Sequence, residues 1–246
     1  MKFKILSFLI LFFVLARAQT NINAQSVYKS QIYNAYINGD MNKWAAIIHV
    51  FEKESPSTIE RKLELVSYYY GYIGYLIGAK KNETAQKYIV KGEKLIADVI
   101  KMSPNNATAY AFKGSFLGFR IGMSKFKALS LGQESIESIE KAYKIDPQNI
   151  QAVVDRANAL YHTPRLFGGD KKEALRLFQE GVTLIETSKS TKNNWLYLNL
   201  LTSIAQAYEA ADQKKKAAFT YDKILRFEPE FKWVKNELYP ALLKKM

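Results

Sequence analysis

Two imidazoles are all the chain offers for classical metal or general-base chemistry: His49 and His162 are its only histidines, and it contains no cysteine. A metal centre would therefore need carboxylates beside one of them, and thiolate zinc, iron-sulfur, disulfide and cysteine-nucleophile chemistry are excluded. His49 lies in AAIIHVF, whose apolar neighbours predict a core or interhelix histidine. HExxH, GxSxG and GxxxxGK[ST] are all absent, so metalloprotease, hydrolase-elbow and phosphate-loop chemistry lack the spacing they require. Glu134, Glu137 and Glu140 recur at three-residue spacing, close enough on a helix to share a proton-transfer task. They alternate with Lys141 and Lys144, which reads as a solvated outer face. The expectation is a non-enzyme with no catalytic residue, cofactor or metal.

Binding chemistry is better represented. In Tyr161 to Lys172 (YHTPRLFGGDKK), Pro164 stops the preceding helix and Gly168-Gly169 opens backbone angles closed to other residues. Asp170 with Glu173 predicts an N-cap and capping box for the next helix. Leu166 and Phe167 are expected to fold back onto the body of the protein. Arg165 carries a planar fork that can hold a partner's carboxylate with two parallel hydrogen bonds; the competing reading pairs it with Asp170 or a neighbouring glutamate.

The elements that must position these groups read as helices joined by short polar breaks. Pro56, Pro104, Pro147 and Pro229 each follow an apolar helical pattern by three or four residues. Their intervals of 48, 43 and 82 residues suggest one, one and two repeated units. In the last unit Leu201, Ile204, Ala205, Tyr208, Ala217, Tyr221, Ile224 and Pro229 fall in a pattern that resembles the tetratricopeptide repeat (TPR), a helix-turn-helix of 34 residues. The first unit fits without a gap as Tyr28, Gln31, Ile32, Ala35, Trp44, Ile48, Phe51 and Pro56, but Gln31 and Trp44 depart from it, Trp44 standing where the family has a small residue. This end is expected to cap the array. The third unit (Tyr110, Gly114, Leu117, then Ser135, Ile139, Ala142, Pro147) carries nine inserted residues. The fourth (Val153, Ala157, Leu160, then Ala174, Phe178, Gly181) carries five, and the second is the least regular.

The resemblance implies an all-α fold, a right-handed α-α superhelix of about five irregular TPR-like helix pairs over residues 26–246; an irregular helical bundle is the alternative. Small residues at Gly114, Ala157, Ala205, Ala174 and Ala217 are where helices approach closely. Two glycine ladders, Gly71-Gly74-Gly78 and Gly114-Gly118-Gly122, are consistent either with close packing or with a floor left open for a ligand. Such an array presents a concave surface. Its expected lining is Tyr110, Lys113, Asn158, Tyr161 and Arg165, with Asn199 and Thr202 from the last unit. The implied function is non-catalytic binding of a protein or peptide partner.

The run PxxFGGDxxxAL, present as Pro164, Phe167, Gly168, Gly169, Asp170, Ala174 and Leu175, resembles a turn in periplasmic TPR proteins that accompany solute transporters. That resemblance implies the alternative, a small-organic-solute receptor or transport accessory, although the lipoprotein cysteine of those relatives is missing here.

Residues 1–18 read as a signal peptide: Lys2 and Lys4, an apolar run from Ile5 to Leu15, then Ala16-Arg17-Ala18. Residues 19–25 form a short flexible N-terminus. The expected location is periplasmic or secreted, with no stable membrane insertion after cleavage, because the run is shorter than the roughly 20 residues a spanning helix needs. Without the leader the chain keeps 33 basic and 23 acidic residues, about +10. That excess is spread along the chain and reads first as a solvated basic surface; adhesion to anionic lipid or polysaccharide is the alternative, and for nucleic acid the chain has no recognisable reading motif.

Overall fold

Short polar side chains start most of the helices. Asp40, Thr58, Asn106, Asn149, Asp170 and Asn194 each accept a hydrogen bond from a backbone N–H of the turn they precede. In the computed structural model, which describes residues 27–246, the result is α1 (27–38), α2 (Met41–Lys53), α3 (Ile59–Gly78), α4 (Asn82–Met102), α5 (Ala107–Met123) and α6 (Ala128–Ile145). They are followed by α7 (Ile150–His162), α8 (Lys171–Thr187), α9 (Trp195–Ala210), α10 (Lys214–Phe227) and a closing helix, α11 (232–243). The signal peptide expected over 1–18 and the flexible 19–25 lie outside the described residues.

Each odd helix packs antiparallel on the even helix after it, and successive pairs stack through α3–α5, α5–α7 and α8–α9, giving a TPR-like α-α superhelix of five pairs capped by α11. Within α11 the turn Val234–Leu238 widens to π geometry just before Pro240, which has no N–H to donate to a regular ladder.

The glycine ladders divide. A Cβ on Gly114 would stand 2.4 Å from Ile139 Cγ1 and 2.6 Å from the Ser135 carbonyl, so α5 meets α6 there at backbone distance. A Cβ on Gly71 would strike the indoles of Trp44 and Trp195 at 2.8 and 2.9 Å. Around Gly74, Gly78 and Gly122 there is open space, and Gly118 has only Ser135 Oγ at 3.9 Å. Close packing thus accounts for the first glycine of each ladder and not for the rest.

The turns inside the pairs are of two kinds. In the first, second and fifth, a single left-handed residue reverses the chain: Gly39, Lys80 and Asp212, with φ of +68°, +58° and +55°. In the third and fourth, the inserted residues build longer turns around 3-10 segments, Lys125–Lys127 and Arg165–Phe167. The backbone of the second folds back as expected: Asp170 N donates to Leu160 O at 3.1 Å, and Gly169 lies so close to the Thr163 carbonyl that no Cβ fits. Its side chains do not follow. Leu166 and Phe167 are 88% and 71% exposed, because the tight backbone turn spends itself on α7 and points both outward. Asp170 caps α8, but Glu173 forks onto Arg176 at 2.7 and 2.8 Å instead of closing the capping box.

Candidate functional site

Across the inner side, the two ends of the superhelix meet. Tyr36 of α1 packs against Trp195 of α9 and Phe231 before α11, with centroids 6.0 and 5.0 Å apart, and Trp44 of α2 lies edge-on to Trp195 at 5.3 Å. Polar bonds follow the same seam: Tyr33 Oη donates to Glu228 at 2.7 Å, and Asn199 Nδ2 donates to Tyr36 Oη at 3.2 Å. The large residue at position 44, where the repeat has a small one, fills this seam, and its Nε1 donates to the Tyr68 carbonyl at 3.0 Å. The first unit does cap the array, by closing onto the last one.

Beside the seam lies a buried polar cluster. Asp155 of α7 is fully buried; Gln151 Nε2 donates to its Oδ2 at 2.9 Å, while Oδ1 has no hydrogen-bond partner. Burial pushes this carboxyl up to about 7, although Gln151, Ser115 and Tyr70 favour its ionised form. Tyr70 of α3 packs among Phe112, Phe119 and Trp195 and accepts from Asn158 Nδ2 at 2.9 Å. Burial, with the Asp155 charge second, holds its phenol well above the ordinary range. In the sequence Asp155 is one acidic residue in a helical pattern, and only the i, i+4 pairing with Gln151 marks it.

The seven residues expected to line one surface are distributed over several. Asn158 and Asn199 reach the inner side, each already donating to a tyrosine hydroxyl. Tyr110 and Lys113, one turn apart on α5, face α6: Lys141 Nζ sits 3.8 Å over the Tyr110 ring, and Lys113 pairs with Glu134 at 2.9 Å. Tyr161 packs toward Phe178 of α8. Thr202 is buried, its hydroxyl bonded to the Leu198 carbonyl at 2.8 Å, so it presents no side-chain surface to a partner. Arg165 is exposed in its 3-10 turn and forms no ion pair among the described residues. His49 is a correction: it points outward, 66% of its side chain exposed and 3.9 Å from Glu52, because the buried stripe of α2 runs through Trp44, Ile47, Ile48 and Phe51.

The clearest concavities are open grooves. One, of about 450 Å³, lies over α8, α9 and α10; Val182, Leu201 and Ile204 line it, with Phe219, Lys215, Lys216 and Lys223. The other, also about 450 Å³, lies between α1 and α2 beside Val27, Tyr28 and Val50. Among the described residues no group of three or more His, Asp or Glu side chains is placed to hold a metal ion, and no helix is long and apolar enough to cross a membrane.

No family model matches the chain, and no curated protein matches its sequence. Its fold is similar to that of TTC0263, a thermophilic TPR protein of Thermus thermophilus, with a TM-score of 0.57 and 14% identity over 82% of this chain and 92% of that one. It is also similar to the HusA haemophore of Porphyromonas gingivalis, with a TM-score of 0.59 and 13% identity over 75% of this chain and 93% of that one.

Proposed function

We propose that the protein is an exported, non-catalytic scaffold that binds a protein or peptide partner. The observation carrying this reading is the groove over α8, α9 and α10. It is open along its length, its floor is apolar, Phe219 stands 66% exposed at its wall, and lysines 215, 216 and 223 border it. An apolar trough bordered by Lys215 and Lys216, with Lys223 already paired to Glu186 at 3.0 Å, suits an amphipathic segment with acidic residues on the side facing Lys215 and Lys216, laid in as a helix or an extended strand. The inner side is the weaker candidate, since its aromatic and amide groups are engaged with one another.

The test is site-specific photocrosslinking in the native host from positions 219, 165 and, on the outer face of α6, 137. Capture of one partner from 219 and not from 137, with its binding lost in Phe219→Asp, supports the groove; capture from 165 alone would return the site to the turn. Equal capture from all three refutes a defined partner surface. The export half of the reading is checked by N-terminal sequencing of the native protein, which should begin at Gln19.

A second reading, small-organic-solute capture, is favoured by one observation: a haemophore shares this fold. Titration with haemin, followed by absorbance, separates the two. Saturable binding at one equivalent would support solute capture, and only diffuse, non-saturating binding would discard it.

A further inference from the structure

The lengthened turns of the third and fourth pairs lie side by side. Asn149 Nδ2 donates to Thr108 Oγ1 at 3.0 Å, joining the N-termini of α7 and α5, so the two helices run parallel and both end at the same edge. From those helix ends four large apolar side chains project into solvent: Phe126 and Leu129, after α5, are 89% and 95% exposed, and Leu166 and Phe167, after α7, are 88% and 71% exposed. Single exposed apolar residues are ordinary, but four at the tips of two adjacent insertions are not. They protrude.

Cations surround the tips. Lys125 and Lys127 flank Phe126, Arg165 precedes Leu166, and Lys171 and Lys172 follow Phe167. The second pair adds Lys80 and Lys81 from its own turn, at the end of α3, which packs against α5. None of these seven forms an ion pair among the described residues. Of the acidic residues beside these turns, Asp170 caps α8 and Glu173 pairs with Arg176, while Glu83 opens α4 after Lys81. At the opposite ends of the helices Arg61 pairs with Glu54 and Glu64, Lys62 with Asp98, and Lys223 with Glu186, while Lys53, Lys101, Lys144, Lys189 and Lys192 form no ion pair among the described residues. What sets the tip edge apart is that its cations without an ion pair stand beside protruding apolar side chains.

We propose that this edge docks peripherally on an anionic phospholipid bilayer, with Phe126, Leu129, Leu166 and Phe167 entering the headgroup–acyl boundary and the lysines and Arg165 meeting lipid phosphates. Protruding apolar tips ringed by unpaired cations fit a soft, deformable anionic surface. A protein partner would have to supply one pocket for each tip. The binding is interfacial and reversible, and it uses none of the α8–α10 groove.

The absence of native cysteine makes the test clean. Protein purified from the native host, with intact mass recorded, is floated with vesicles of phosphatidylcholine alone or with 30 mol% phosphatidylglycerol; every variant is made in the same background, so any contribution of the N-terminus is common to all. Wild type should partition at least about a hundredfold better onto the anionic vesicles and be released by 0.5 M salt. Each cation near such a surface contributes about fivefold, so Lys125→Gln, Lys127→Gln and Arg165→Gln together should weaken binding roughly a hundredfold. Phe126→Ser with Phe167→Ser should reduce it to the neutral-vesicle level while leaving the thermal melt unchanged. An environment-sensitive fluorophore on Phe126→Cys should shift blue on binding, and one on Glu137→Cys should not. Equal binding to both vesicle types, or anionic binding with an unshifted probe at 126, overturns the proposal. Loss of a protein ligand in the double-serine variant, with no vesicle binding by wild type, makes the edge a protein interface and likewise overturns it.

Discussion

Replacing Asp155 by asparagine should change how stability depends on pH, and the sign follows from where the proton resides. The carboxyl is fully buried with Oδ1 unpartnered, and burial raises it from near 4 to about 7. Between those values the folded protein keeps the proton that the unfolded chain has already lost. Unfolding then releases a proton, so this group's contribution falls as pH rises through the window and is constant above the folded value. Three units at about 1.4 kcal/mol each put the full cost of the buried carboxylate near ~4 kcal/mol at pH 8. Asparagine has the same shape, keeps an oxygen for the Gln151 donor and never ionises. Relative to wild type, the variant should gain about 3 kcal/mol between pH 4.5 and pH 8, a relative shift of roughly 1 to 3 M in urea midpoint. Urea melts of both proteins at pH 4.5, 6 and 8 read this directly, and taking the difference removes the titration of all other carboxylates. A difference that stays constant across the three pH values would show that Asp155 titrates as a solvated group and would refute the buried-acid argument.

The remaining predictions concern packing. Gly114→Ala forces a methyl against Ile139 and the Ser135 carbonyl and should cost about 1–3 kcal/mol, whereas Gly74→Ala, with nothing within 4 Å, should stabilise α3 by about 0.5–1 kcal/mol; paired urea melts with equal midpoints would contradict the two environments. Trp195→Ala removes the indole joining Tyr36, Trp44 and Tyr70 and should cost about 3–5 kcal/mol. It should also increase the separation of fluorophores placed at the outer ends of α1 and α11, and an unchanged separation would show that the seam does not hold the ends together.

How much of this was legible in the sequence depended on whether the signal was local. Proline placement, the Asp170 cap and the small-residue positions belong to single helix pairs, and Asp170 caps α8 as its type requires. Contacts between pairs far apart along the chain left weaker marks. Trp44 stood out as a departure from the repeat, yet nothing in its neighbourhood names Trp195, 151 residues later, as the side chain it meets. The candidate lining dispersed for a related reason: in a helix a shift of one residue is about 100°. Tyr110 and Lys113 therefore turned toward α6 although their pair was correctly identified. Leu166 and Phe167 show the opposite failure, since apolarity alone was taken to mean burial, and the Gly169 turn sends both outward.

A stack of helix pairs has two apolar end faces, and open arrays cover them with dedicated polar caps. Here the end pairs cover part of that surface with each other: Tyr33, Tyr36 and Trp44 meet Trp195, Glu228 and Phe231 across the inner side. The arrangement stabilises a short array without disulfides, but it uses the surface that an open superhelix would present to a ligand. The open concavity over α8, α9 and α10 and the exposed apolar side chains of the two inserted turns lie away from this seam. The insertions sit in the third and fourth pairs, away from the seam, where a turn can lengthen without disturbing closure. The first and fifth pairs, which make the seam, keep short turns reversed by one left-handed residue, as does the second.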